Sequence, residues 1–165
     1  MMDIDLEKAI REPGKTFSFA YCGRPEYEGI CFLEDVALQA EYAVLDGSVS
    51  VKGHFNTKVQ LACTRCAKDT PYRIDADFDE LFQKTDGEED ESEEGIYLYR
   101  KKTLRLDKMV YDGIILNIPS QVLCSNSCKG LCQICGIDLN EEMCNCKNQD
   151  DAENPFAQLK DLFKQ

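Results

Sequence analysis

No apolar run in this chain approaches the roughly 20 residues needed to cross a membrane as a helix. Its first residues, MMDIDLEKAI, are acidic and lack the basic start and apolar stretch of a signal peptide. The expected setting is therefore the cytoplasm. Histidine is almost missing as well, His54 being the only one. No H-E-x-x-H, no Ser/His/Asp grouping and no phosphate-binding glycine loop occurs, so the usual hydrolytic and nucleotide-dependent chemistries find no residues here. Positive charge is in short supply: 19 Lys and Arg stand against 31 Asp and Glu, for a net charge of −12. That balance excludes a broad basic surface for nucleic acid. With 165 residues, 43% of them hydrophobic, the chain suits one domain, or one domain with a small appendage.

Cysteine is what the sequence has in excess. Ten are present, and six lie between Cys124 and Cys146 in CSNSCKGLCQICGIDLNEEMCNC. Cys132 and Cys135 form a C-x2-C pair followed by Gly136, Cys144 and Cys146 a C-x-C pair, and Cys124 and Cys128 a C-x3-C pair. A second C-x2-C pair, Cys63 and Cys66, stands far upstream in LACTRCAK. A tetrahedral zinc ion takes four thiolates at about 2.3 Å, commonly from two short loops of two ligands each. C-x2-C turns tightly enough to aim both sulfurs at one ion, and a glycine after the second cysteine can adopt φ > 0. In a reducing compartment such clusters read as metal ligands before disulfides.

Eight cysteines at ligand-like spacing allow two four-thiolate sites. The preferred partition gives Cys132, Cys135, Cys144 and Cys146 one ion, while Cys63 and Cys66 reach across to Cys124 and Cys128 for another. The second of these would clip the sheet to the segment that follows the helix. A single site with the remaining thiols reduced is the alternative. A closed four-cysteine site leaves no open position for substrate, so the zinc is expected to be structural and the protein not an enzyme. A thioredoxin-like redox pair needs a βαβ context that these motifs lack. Cys22 and Cys31 have no ligand-like spacing and are expected to be buried small hydrophobes. His54 is expected at the surface, opposite Phe55.

The expected fold class is α+β: an antiparallel β-meander or partly closed barrel with one packed helix, a cysteine-rich zinc-binding lobe and a C-terminal helix. Residues 1–14 read as a short helix or extended lead-in, stopped by Pro13-Gly14. Thr16 to Cys22 alternates like a strand. Val36 to Leu45, a turn at Asp46-Gly47, Val49 to Phe55, Lys58 to Leu61 and Tyr72 to Phe82 continue the meander. Cys63–Cys66 falls at a hairpin tip, with Phe55, Val59 and Leu61 inward. Ile96 to Tyr99 makes a short strand. Asp107 is a candidate N-cap for a helix with Met109, Val110, Gly113, Ile114 and Asn117 on one face, to which Leu106, Ile115 and Ile118 add enough apolar surface to bury most of it, and which ends at Pro119. Asn154-Pro155 opens a terminal helix carrying Phe156, Leu159, Leu162 and Phe163. Residues 1–95 and 96–165 form the two parts of what is expected to be one unit.

Charge is unevenly spread. Asp86 to Glu94 holds seven acids and reads as a solvated, disordered loop. Arg65, Lys68, Lys108 and Lys129 are among the cations that gather around the cysteine motifs. They serve either to offset thiolate–metal charge or to face RNA.

These motifs together resemble the YceD family, the large ribosomal RNA subunit accumulation proteins. The resemblance is carried by LACTRC with Cys63, Arg65 and Cys66, by the helix DKMVYDGIILNIP, and above all by Cys128-Lys-Gly-Leu-Cys132, Cys135-Gly136 and Asp138-Leu-Asn140. The closing ENPFAQLKDLF is similar too, with Asn154-Pro155-Phe156 where many members have Asp-Pro-Arg. It covers Leu61 to the end, and the first sixty residues in pattern only. It implies a bacterial cytoplasmic factor, with plastid relatives, that supports synthesis, processing or stability of 23S ribosomal RNA. Its implied partners are large-subunit rRNA or a pre-ribosomal particle, with a ribonuclease or ribosomal protein as a further candidate, and no membrane or small-molecule substrate. No catalytic residues carry over. Some relatives lack much of the C-terminal cysteine block, which favours a fold-supporting metal. The rival readings are an adaptor that never touches RNA, and a thiol redox switch.

Overall fold

A computed structural model of the protein describes residues 1–86 and 96–146. The elements run β1 (Asp3–Asp5), α1 (Glu7–Arg11), β2 (Phe17–Gly23), β3 (Cys31–Phe32), β4 (Val36–Leu45), β5 (Ser48–Ala62), β6 (Asp69–Lys84), β7 (Tyr97–Tyr99), β8 (Thr103–Arg105) and α2 (Asp107–Leu116). Strict alternation explains β4: Val36, Leu38, Ala40, Tyr42 and Val44 are buried, and the residues between them are not. The turn after it takes Asp46 and Gly47 at φ 50° and 80°, the doubly positive pair that a two-residue hairpin of matching twist requires.

The main sheet is ordered β2-β4-β5-β6-β7, and β3 pairs with β5 beyond the end of β4. Among the described residues its outer strands, β2 and β7, do not pair with each other, so the sheet is not a closed barrel. The last pairing also departs from a meander, because β7 runs parallel to β6 in the register Phe82↔Tyr97 to Lys84↔Tyr99. Where two separate strands were expected, β5 continues unbroken through Asn56 and Thr57. Thr57 is buried there, and its hydroxyl donates to the Glu34 carbonyl at 3.1 Å. A second, two-stranded sheet joins β1 to β8.

One face of the main sheet carries the core. Leu38, Val49, Val51, Phe55, Ile74 and Phe82 meet Met2, Leu6 and Ala9 from the N-terminal segment and Leu104, Leu106, Met109, Val110 and Ile114 from around α2. Gly113 lies against the ring of Phe55, where a Cβ would stand 3.0 Å from two of its carbons. Ile115 does not join this face. It is 43% exposed, turned away from the side defined by Leu106, Val110 and Ile114. Asp107 is the first helical residue and Leu106 the cap position, with no side-chain cap hydrogen bond. The Asp107 carboxylate instead accepts the Met2 backbone N–H at 3.0 Å, and its carbonyl accepts the Tyr27 hydroxyl at 2.8 Å. Helix α2 ends at Leu116, ahead of Pro119.

Cys22 and Cys31 are exposed rather than buried. Parity decides this: Phe17, Phe19 and Tyr21 pack toward the core, which puts Cys22 on the other face, and buried Phe32 does the same to Cys31. Among the described residues no helix is long and apolar enough to cross a membrane. Residues 87–94 of the expected acidic loop, and the expected terminal helix, lie outside the described residues.

Candidate metal centre

β5 and β6 pair over their whole shared length, from Ser48↔Gln83 to Ala62↔Asp69, and the chain reverses between them at Cys63–Lys68. The reversal is a knuckle. The N–H of Ala67 bonds the Cys63 carbonyl at 2.9 Å, and the N–H of Cys63 bonds the Lys68 carbonyl at 2.9 Å. The downstream C-x2-C pair repeats this pattern: Gly136 N–H to Cys132 carbonyl at 2.9 Å, Cys132 N–H to Ile137 carbonyl at 2.8 Å. Both knuckles set the residue after the second cysteine in the left-handed region, Ala67 at φ 57° and Gly136 at φ 74°. Glycine does this freely and alanine under strain.

The knuckles gather two quartets. Cys63, Cys66, Cys124 and Cys128 have sulfurs all within 4.8 Å of one another, and so do Cys132, Cys135, Cys144 and Cys146. Both quartets match the preferred partition. Close pairs are Cys63–Cys128 at 3.8 Å, Cys66–Cys124 at 3.6 Å and Cys132–Cys144 at 3.4 Å. Four thiolates at about 2.3 Å around a tetrahedral ion stand about 3.8 Å apart, whereas a disulfide needs about 2.05 Å. All ten cysteines are free thiols. The donor sets thus fit a four-coordinate thiophilic ion, with no position left open for water or substrate.

Around the first quartet the chain is stitched from both sides. Thr64 donates its N–H at 2.8 Å and its hydroxyl at 3.0 Å to the Val122 carbonyl, which holds the hairpin tip to the segment after α2. The Arg65 guanidinium donates to the Cys128 carbonyl at 2.9 Å, and the Leu131 N–H donates to the Arg65 carbonyl at 3.0 Å. Cys63, Cys66 and Cys128 are buried in a small cluster of their own, backed by Leu123 and separate from the main core.

Acidity within each quartet is uneven. Backbone N–H groups of Cys124, Arg65 and Cys66 point at Cys63 and hold its thiol down to about 6. The N–H groups of Cys135 and Ile134 do the same for Cys132, also to about 6. The Lys68 N–H draws Cys66 downward, but burial and the sulfurs of Cys124, Cys128 and Cys63 together push it up to about 12. Cys146 is pushed up to about 12 by the Cys135 sulfur and by burial. Each quartet thus offers one ready thiolate, while Cys66 in the first and Cys146 in the second keep protons that a cation would displace.

The cations singled out in the sequence do not form one patch. Arg65, Lys68 and Lys129 belong to the knuckle and the strand of chain against it, and among the described residues none makes an ion pair. Lys108 lies elsewhere. Its ammonium pairs with Asp112 at 2.9 Å and sits 5.8 Å from the centre of the Tyr97 ring. Tyr97 stacks on Phe82, which faces Val49 near the start of β5, while the knuckle follows Ala62 at its end. On the order of 40 Å of strand separates the two positions. His54 is on the outer face, between Asp77 at 2.9 Å and Asp75 at 3.4 Å, and joins neither quartet.

Sequence reasoning gave Asn140 no role at the quartets. Its amide donates to the Cys128 sulfur at 3.4 Å and its side-chain oxygen accepts the Lys129 N–H at 2.8 Å. The sequence marks it only as part of the Asp138-Leu-Asn140 motif of the resemblance, a spacing that here makes a local turn with the Asn140 N–H on the Asp138 carboxylate at 2.8 Å.

An open, mostly antiparallel sheet with few helices, tied at one hairpin tip to a lobe of two cysteine quartets, defines a small β-rich protein with candidate metal sites. The chain belongs to the family described as large ribosomal RNA subunit accumulation protein YceD, whose model matches residues 51–163. It is 27% identical over 149 residues to uncharacterized proteins of Mycobacterium bovis and Mycobacterium tuberculosis, covering 86% of this chain and 72% of theirs. Chloroplastic proteins named large ribosomal RNA subunit accumulation protein YCED homolog 1 are similar as well. The Arabidopsis thaliana one is 25% identical over 161 residues (79% of this chain, 48% of its own), and the Zea mays one 28% identical over 148 (72% and 50%). The chain spans about half the length of these plant relatives. No solved structure matches it.

Proposed function

We propose that the chain is a non-enzymatic accessory factor of the cytoplasm that supports the accumulation of large-subunit ribosomal RNA, with zinc in both cysteine quartets as a structural element. The observation that carries this reading is the placement of Lys68 and Lys129, free of ion pairs among the described residues, beside a four-sulfur knuckle in a chain of this family. Zinc with four thiolates fixes the hairpin tip against the segment after α2, and so presents Arg65, Lys68 and Lys129 as a small basic face on an acidic body. Few cations on so acidic a chain suit a limited contact with phosphates rather than a general affinity for RNA. The two parts of the chain act as one unit in this reading, since the core joins residues 1–86 to 96–118 and Thr64 and Arg65 tie the cysteine lobe to the sheet.

The test is binding of the protein to large-subunit rRNA at several salt concentrations. Lys68→Glu with Lys129→Glu should reduce the affinity at least tenfold and flatten the salt dependence, while zinc content stays the same. Unchanged affinity in that variant would overturn the RNA-contact reading. Arg65 is a poorer probe, because its guanidinium also holds the Cys128 carbonyl. The net charge of −12 favours a second reading, an adaptor that recruits a ribonuclease or ribosomal protein. An adaptor keeps its protein partner after nuclease treatment, and direct RNA binding does not require one.

A further inference from the structure

The two quartets share more than a stretch of sequence. Cys128, the last ligand of the first, and Cys132, the opening ligand of the second, are joined by Lys129-Gly130-Leu131. The chain between Cys135 and Cys144, whose two ends the second quartet fixes, folds back over that joint. The Leu139 N–H donates to the Gly130 carbonyl at 2.9 Å, and Leu131 bridges to Asp138. Gly130 itself, at φ 78°, lies so close to Arg65 that a Cβ would stand 3.0 Å from the Arg65 carbonyl oxygen. At the centre of this contact Asn140 reaches out of the second quartet's loop to the sulfur of Cys128, a member of the first.

Resting on the reading of both quartets as metal sites, we propose that Asn140 is a positioning residue of the first centre, held in place by the second, and that the second ion therefore governs how firmly the first is kept. An N–H donated to a metal-bound thiolate draws off part of its charge and fixes its orientation. Loss of such an outer contact commonly weakens metal binding by about 10- to 100-fold. Asn140 makes that contact with its amide nitrogen while its oxygen takes the Lys129 N–H, so the side chain is oriented from both ends. Its nitrogen also reaches the Asp138 carboxylate at 2.6 Å. Without an ion, Cys132, Cys135, Cys144 and Cys146 no longer fix the ends of the loop. Asn140 then loses its anchor although none of its own partners has been removed. The coupling runs one way in geometry but both ways in free energy, as any linkage must.

The test uses the full chain loaded with cadmium-113, which reports each centre as a separate resonance, followed by release of metal to excess chelator. Two ions should bind the native chain. Asn140→Ala should still bind two, shift the resonance of the first centre while sparing that of the second, and release the first ion about 10- to 100-fold faster. Cys144→Ser with Cys146→Ser should lose the second ion and speed release of the first by a similar factor. Adding Asn140→Ala to that double variant should then speed it no further. Two bound ions with native release in Asn140→Ala, or additive effects in the triple variant, would overturn the coupling and leave the metal reading intact. Fewer than two ions in the native chain would overturn both.

Discussion

Gly53 faces the Gln39 carbonyl so closely that a Cβ on it would stand 2.0 Å from that oxygen and 2.8 Å from the Ala40 α-carbon. Both obstacles are backbone, and both belong to a central pair of strands, where Gly53 sits between Ala40 on β4 and Phe78 on β6. Gly53→Ala is expected to destabilise the protein by about 3 kcal/mol or more, because the strands must separate to admit the methyl group. Chemical denaturation would measure it. An effect below about 1 kcal/mol would mean the strands are not so close.

The two knuckles predict opposite outcomes for reciprocal substitutions. Gly136→Ala forces a side chain into the left-handed region and should cost about 1 kcal/mol. Ala67→Gly relieves that strain at the corresponding place and should be neutral or slightly stabilising, with metal retained. Comparing melting temperatures of the two metal-loaded variants checks the pair. A large loss on Ala67→Gly would show that its methyl group packs in a way its φ does not reveal.

Metal removal should act locally before it acts globally. The first quartet has its own small cluster, apart from the main core. Chelation is therefore expected to expose the Cys63–Lys68 tip to proteases while the far-ultraviolet signature of the sheet persists. Cys128→Ser should hold one zinc per chain rather than two. Loss of all sheet structure on chelation would contradict this division.

Tyr97 supplies a pH dependence. Burial first, and the neighbouring Asp112 carboxylate second, push its hydroxyl up to about 12. The folded state thus holds this proton more tightly than the unfolded chain, where a tyrosine ionises near 10. Its contribution is complete below pH 10 and is lost as pH rises toward 12. Tyr97→Phe should flatten the fall in stability over that window, as followed by denaturant titrations at pH 9, 10 and 11. An unchanged slope would assign the alkaline loss to other groups.

Local signals were legible in the sequence, and long-range ones were not. Val36–Leu45 was read with the bounds it has, since alternation and the Asp46-Gly47 turn are encoded within a few residues. Ligand spacing marks the four cysteine pairs, a short-range constraint on each, but which pairs join is long-range: the sulfur positions agree with the preferred partition, and spacing alone also allowed a single site. By contrast, the parallel pairing of β7 with β6 and that of β1 with β8 join residues far apart in the chain, and no local pattern announces them. The unbroken course of β5 depends on β6 facing Asn56 and Thr57. Lys108 seemed to share a basic face because it is near the cysteine block in sequence. Helix α2 carries it instead to Tyr97 and Asp112.

The quartets also differ in how much chain each must close. Cys132 and Cys144 are 12 residues apart, whereas Cys66 and Cys124 are separated by 58. On loop-closure entropy alone the longer link costs about 1.4 kcal/mol more. The chain between those ends carries β6, β7, β8 and α2. During synthesis the second quartet can assemble as soon as Cys146 has emerged, from its own few residues. The first can close only once Cys124 and Cys128, on the far side of α2, return to the hairpin tip. An ion bound by the first quartet would therefore report that the hairpin tip and the segment after α2 have met, whereas one bound by the second would report only local structure.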